Sequence, residues 1–352
     1  MAGRERSADP DRLAFASGDA GRARAGGRRV RCDAWPAVAG RGAAAAVRLL
    51  FMLISFGCPV SGAWAQPETL TLIARQAEEL GYHGLWAFQR LLVGRGQDLA
   101  PAYHSVLDPV VALTWAAAAT SRIRLGVSVI NLPYVAPAYL AKQASSLDRL
   151  SGGRFDLGLG TGWSEAEFTA TGSDPNPRGP RTEEYLAALT ALFSGEEAEF
   201  GGRFYRVPAS RMLPAPAQAG GPPVLLGGTA DAALRRAGRI AAGWVSSSRT
   251  TLPEIARGVR IVREAAESAG RDPDSLRIVV RGVVQPGRRD ESIPLSGDWA
   301  QIRAGAERYA EAGATELFYE PNWDPRIGGL DADPRVAAEL GAEVLAGLAP
   351  HH

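Results

Sequence analysis

Two glycine-rich turns and a Gln-Arg pair carry the residue types best suited to chemistry in this chain. Gly160-Thr161-Gly162-Trp163 follows an alternating apolar run, Phe155, Leu157 and Leu159. Glycine there lets a planar ligand approach the backbone, and Thr161 adds a hydroxyl. Gly227-Gly228-Thr229 precedes a helical stretch, so its backbone N–H groups suit an anion such as a phosphate. For both turns the plainer alternative is a tight strand-to-helix connection that needs glycine and nothing more. Gln89-Arg90 closes another apolar run, and Arg90 either clamps an acidic ligand or makes a surface ion pair. Trp64 and Trp163 are candidate walls of an apolar pocket, although tryptophan at such a rim as often simply packs. His104 is an acid–base candidate on a loop; His83 falls before a strand and reads as structural, and His351-His352 as tail. Ser-His-Asp order, a nucleophile elbow, a Walker A lysine and a metal-ligand cluster are all missing from the sequence. A pocket of this composition takes its reactivity from a bound organic cofactor rather than from its own nucleophile.

The segment 124–163 sets how these residues are positioned. Leu125 to Ile130 is β-branched and ends at Asn131-Leu132-Pro133. A helix then opens at Pro137, aligns Leu140, Ala144, Leu147 and Leu150, and stops at Ser151-Gly152-Gly153. Strands joined by a crossover helix are parallel, so Asn131 and Thr161 emerge at one end of the sheet. The same rhythm recurs. Strands are predicted at Arg48–Ser55, His83–Phe88, Pro223–Leu226, Trp244–Ser246, Leu276–Val284 and Glu316–Tyr319. Helices are predicted at 67–80, 109–120, 181–193, 231–239, 252–269, 298–312 and 334–348, with a small hairpin inserted at Glu199–Val207. Eight alternating strands and helices predict an α/β fold, a (β/α)8 TIM barrel, over 47–348. Ligands of such barrels bind where the strands end. A doubly wound sheet is the runner-up. Gly158-x-Gly160-x-Gly162 lacks the third spacing of a dinucleotide fingerprint and the acidic residue that should follow it.

Residues 1–46 are rich in Arg, Ala and Gly and predict a disordered N-terminal extension, with nine arginines against five acids. The apolar run from Val47 followed by Ala63-Trp64-Ala65 imitates a secretory signal. The barrel needs a strand there, so the strand reading is preferred and Val47 becomes the expected biological start. A net charge of +1 gives no footprint for nucleic acid. Cys32 and Cys58 form no disulfide framework.

The stretches AEELGYHGLW, RIRLGVSVINLP, LDRLSGGRFDLGLGTGW, PPVLLGGT and AAGWVSSS, in that order, resemble the bacterial luciferase-like monooxygenase superfamily. That resemblance implies a (β/α)8 barrel using coenzyme F420 or reduced FMN. SVINLP and the arginine-for-lysine style look more like the F420-dependent branch. By the same resemblance, Ser128-Val129 matches a strand bulge, often a non-proline cis peptide, that backs the cofactor ring. Thr161-Gly162 matches the turn contacting the ring or its side chain, and Gly227-Gly228-Thr229 the phosphate-side turn. Many F420 enzymes carry Asp-His where this chain has Gln89-Arg90, so acid–base transfer from that histidine is not available.

The leading expectation is therefore a cytoplasmic, F420-dependent oxidoreductase acting on a small organic substrate. Gln89 and Arg90 are its catalytic candidates, and no metal, nucleic acid or membrane partner is expected. The alternatives are an FMN-dependent monooxygenase supplied by a separate reductase, and a catalytically degenerate flavin-binding barrel. The resemblance also implies a homodimer.

Overall fold

The barrel expected from the alternation is closed. A computed structural model describes residues 52–287 and 289–350. The expected extension 1–46 and the expected start at Val47 lie outside the described residues. Eight parallel strands complete the ring: β1 Leu53–Gly57, β2 Gly84–Ala87, β3 Arg124–Asn131, β4 Phe155–Gly160, β5 Val224–Gly227, β6 Gly243–Val245, β7 Arg277–Val283 and β8 Glu316–Glu320. Leu53 pairs with Glu316 and Phe56 with Leu85, so β1 closes between β8 and β2. Strands β2, β4 and β8 are buried along their whole length, as expected of parallel strands covered on both faces.

Ten helices are present among the described residues: α1 Pro67–Glu79, α2 Pro109–Ala119, α3 Pro137–Leu150, α4 Glu165–Thr171, α5 Arg178–Phe193, α6 Asp231–Ile240, α7 Leu252–Ser268, α8 Trp299–Glu311, α9 Pro325–Gly328 and α10 Pro334–Gly347. Proline at the first turn starts several of them, as its fixed φ and missing N–H allow. Asp108 caps α2 by accepting from the N–H groups of Val110 and Val111 at 2.9 and 3.0 Å. A capping box between Thr251 and Glu254 starts α7. The expected hairpin is a two-stranded antiparallel pair, Glu197–Gly201 with Arg206–Arg211.

The structure departs from the sequence reading at several places. Among the described residues the first strand runs Leu53–Gly57, and positions 48–51 of the expected strand lie outside them. Helices α4 and α9 were not anticipated. Leu150, expected in line with Leu140, Ala144 and Leu147, is exposed at the end of α3. Helix α5 begins at Arg178 rather than Arg181, because Pro180 is compatible with a first turn, and this brings Arg178 to the barrel mouth.

Two apolar layers hold the fold. One lies between the strands and the helices; the other, inside the ring, is made by Trp86, Leu225, Val245, Val279 and Phe318. Trp86 stacks on Phe318 with ring centroids 5.5 Å apart. Below this plug, at the strand N-termini, the ring is polar. Asp156 accepts from Arg277 Nη1 at 2.7 Å and Arg124 Nε at 2.9 Å; Glu316 accepts from Arg277, Ser55 and Trp86. Burial works against the Asp156 charge, yet Arg277 and Arg124 outweigh it and hold the carboxyl at about 2.

Candidate active site

Above the plug, where the strands end, a cavity of about 480 Å3 opens. Its central feature comes from β3. Pairing with β4 slips between Val127 and Ile130, and the Ser128–Val129 peptide within that slip is cis. The Val129 side chain occupies space that only glycine leaves. A Cβ on Gly160 would lie 2.5 Å from Val129 Cγ2, and one on Gly227 would lie 3.1 Å from Cγ1. The glycines of β4 and β5 therefore serve the bulge, which explains a spacing that falls short of a dinucleotide fingerprint.

One end of the cavity gathers positive charge and open N–H groups. Helix α6 starts after Ala230, whose methyl side chain cannot accept from its first N–H groups. Gly228 holds a φ of +133°, and its carbonyl accepts from Trp244 Nε1 at 2.8 Å, pinning the turn to β6. Arg178 and Arg236 line the same end, with Arg236 Nε 3.2 Å from Glu183. The oriented N–H groups and two guanidinium charges suit a phosphate.

The other end carries Arg281 and Arg90. Arg281 lies over the rings of Phe88 and Trp323, 4.5 and 4.1 Å from their centroids. It donates to Glu320 from Nε and Nη2 at 3.1 and 2.9 Å, and from Nη1 to the Ser128 carbonyl at 3.3 Å. Burial raises Glu320, and the charge of Arg281 and the hydrogen bonds from Asn322 offset only part of that rise. Asn322 in turn accepts from Trp64 Nε1 at 2.8 Å. The chain Trp64–Asn322–Glu320–Arg281 thus ends on the carbonyl of the cis peptide.

Arg90 packs against the rings of Tyr103 and Trp163, 4.6 and 4.4 Å from their centroids, the two rings lying at 66° to each other. Its Nη1 is 3.0 Å from Glu167 Oε2, while Glu167 Oε1 accepts from the Leu91 N–H at 2.7 Å. Neither Nε nor Nη1 of Arg90 has a hydrogen-bond partner among the described residues. The contact with Glu167 is thus one of charge, without aligned N–H geometry. Gln89 turns its Oε1 to the Asn131 N–H at 2.9 Å, bridging the ends of β2 and β3.

Of the residues expected from sequence, Gln89, Arg90, Ser128, Val129, Thr161, Gly162, Trp163, Gly227, Gly228 and Thr229 all line this cavity. Trp64 does not. It is fully buried beneath the rim, and a Cβ on Gly341 of α10 would lie 2.5 Å from its ring. An indole beside an apolar run is better buried than left at a rim, and here its N–H finds Asn322 inside. His104 faces a second depression, of about 610 Å3, alongside Pro325, Leu330 and Val336 and apart from the strand ends. Sequence reasoning missed Arg281, Arg178, Arg236 and Tyr103. Arg281 had a signal: a lone charge inside the apolar strand Arg277–Val283 must find a buried partner. Glu167 was missed along with α4. Among the described residues, three or more His, Cys, Asp or Glu side chains nowhere gather as a metal site, and no helix is long and apolar enough to cross a membrane.

Comparison with known proteins agrees with the fold. Residues 49–294 match the family model described as luciferase-like monooxygenase. An uncharacterized protein of Mycobacterium tuberculosis is 41% identical over 164 residues, 46% of this chain and 55% of the relative, so the chain spans about half of that relative's length. Another from the same organism is 32% identical over 62% of this chain and 70% of its own length. The FMNH(2)-dependent dimethylsulfone monooxygenase of Pseudomonas putida is 26% identical over 71% of this chain and 69% of its own. Among solved structures, the monooxygenase RslO1 of Streptomyces bottropensis superposes with a TM-score of 0.70 at 20% identity, covering 85% of this chain and 99% of its own. The coenzyme F420 dependent tetrahydromethanopterin reductase of Methanopyrus kandleri gives 0.65 at 19% identity, over 84% and 99%. At such identities the likeness of the structures is one of fold.

Proposed function

The chain belongs to the luciferase-like monooxygenase family, and on that premise we propose that its barrel mouth binds coenzyme F420 and that the enzyme moves a hydride between this deazaflavin and an organic substrate. The observation that carries the reading is the cis Ser128–Val129 bulge, facing a cavity whose one end is an uncapped helix N-terminus with two arginines. The residues fit such a group. Val129 gives a flat apolar backing in space cleared by Gly160 and Gly227, while the N–H groups at the start of α6, with Arg178 and Arg236, suit a polyanionic tail. When bound, the reduced ring supplies a hydride. The chain's own part is to hold the reacting carbons in register and exclude water, which can account for most of the barrier reduction. Arg90 and Gln89 face the substrate side, and the Arg90 guanidinium stabilises negative charge as it develops. The described histidines, His83 and His104, stand away from the cavity, so imidazole takes no part in proton transfer.

A second reading, an FMN-dependent monooxygenase fed by a separate reductase, is favoured by that missing histidine and by the name of the dimethylsulfone relative. A homodimer belongs to both readings. Fluorescence titration of the full chain with F420 and FMN in parallel tests them. Binding of F420 at least about tenfold tighter than FMN, a difference of about 1.4 kcal/mol, is expected. Preference for FMN overturns the F420 reading in favour of the oxygen-activating one. If neither binds, a degenerate barrel replaces both.

A further inference from the structure

Three arginines are buried among the described residues: Arg90 at 7%, Arg281 at 8% and Arg154 at 9% exposure. Arg154 engages its guanidinium fully, donating to the carbonyls of Ser151, Ile123, Ala117 and Thr120 and to the Thr120 hydroxyl. Arg281 donates to Glu320 and to the Ser128 carbonyl. Arg90 has only its charge contact with Glu167, and its Nε and Nη1 are without acceptors. A buried guanidinium with idle donors is costly, and the cost is removed when an acceptor arrives. The cavity it lines offers no anionic acceptor: Arg90, Arg178, Arg236 and Arg281 are its charged residues, and no Asp or Glu lines it. Glu167 is 99% buried behind Arg90, so the pair presents its positive end to the cavity.

We propose that the substrate of this site is an organic acid whose carboxylate docks on Arg90, with its apolar body against Phe88 and Tyr103. The assignment rests on the cofactor reading above, whose phosphate takes the opposite, α6 end. A carboxylate is favoured over a second phosphate because the rings of Tyr103 and Trp163, inclined at 66° to each other, cover two sides of the Arg90 guanidinium, and such apolar walls penalise a doubly charged group more than a singly charged one. A carboxylate can accept two parallel N–H bonds from a guanidinium.

Calorimetric titration of the full chain with benzoate and with benzamide, in inorganic phosphate to fill the α6 end, is the test. Benzoate should bind at least about tenfold more tightly than its neutral isostere, as a charge-assisted pair implies. R90Q should lose that preference, R90K should recover part of it, and R236Q should keep it. Circular dichroism checks that each variant is folded, and the wild-type benzoate-to-benzamide ratio decides the matter even where R90Q does not fold. Equal binding of the two probes, no binding of benzoate, or a preference lost in R236Q but kept in R90Q would overturn the proposal. The F420 and FMN titrations use separate ligands, so a failure of the cofactor reading shows there and a failure of the carboxylate site shows here.

Discussion

The two ends of the barrel use the same residue types in opposite ways. At the base, Asp156 and Glu316 stand among Arg124, Arg277, Ser55 and Trp86, with each carboxylate accepting several hydrogen bonds. At the mouth, Glu320 has one arginine and Asn322, while Arg90 has Glu167 and two aromatic faces. The titration behaviour follows. Two arginines overcome burial and hold Asp156 at about 2, whereas one arginine fails to overcome it at Glu320, which rises above its ordinary value. Saturated charge at the base acts as structure. At the mouth Glu320 is likewise well hydrogen-bonded, and the unsaturated charge that a ligand can complete is that of Arg90.

The largest effect should come from breaking the saturated end. D156N keeps the shape but leaves Arg124 and Arg277 without their shared anion, and loss of a buried partner costs about 3–5 kcal/mol. Urea denaturation reads that loss. Cofactor affinity of the folded fraction should be unchanged, because the site stands at the other end of the ring and distant effects add independently. A loss below about 1 kcal/mol would show that the base is not a structural lock.

Acid separates the ends next. The folded carboxyl of Asp156, at about 2, lies below the unfolded value of about 4. Its stabilisation is therefore present above about pH 4 and is lost as pH falls through the folded value, on the order of 2–3 kcal/mol in all. Glu320 runs the other way: its raised value favours the folded state below the unfolded value, and that contribution is lost as pH rises through the folded one. Urea midpoints of wild type and D156N from about pH 5 downward should converge. Parallel curves would remove Asp156 from the acid response.

The sequence made the base-to-mouth direction visible but not the pairing at either end. Parallel strands and their crossover helices have strong periods, so the barrel, the hairpin and the end carrying Thr161 and Gly227 could be read directly. The glycine turns were legible because glycine marks where backbone and side chains approach closely. Their cause was not, since the partner of Gly160 and Gly227 is Val129 from another strand. Trp64 misled because adjacency to the rim says nothing about which way an indole turns, and Asn322, 258 residues later, decides it. Helix α4 has only seven residues, too few for a periodic signal, and with it went Glu167, the partner of Arg90. Arg90 itself was left between ligand clamp and surface ion pair, and its burial to 7% rules out the surface.

The smallest effect should come from Trp163, and it probes the comparison most finely. The indole is 53% exposed and covers one face of Arg90 at 4.4 Å. Such a contact contributes about 0.5–1 kcal/mol when exposed, so W163A should lower stability by no more than that. Its removal uncovers one side of the guanidinium, admits water to it and loosens its plane. Benzoate should then bind a few fold more weakly, about fivefold for 1 kcal/mol, with the cofactor titration unaltered. A stability loss as large as that of D156N would make the mouth a second structural lock, and its idle arginine donors would then signify packing rather than a ligand. Unchanged stability with weakened benzoate binding would locate the function of Trp163 in orienting Arg90, which is the difference between the two ends reduced to one side chain.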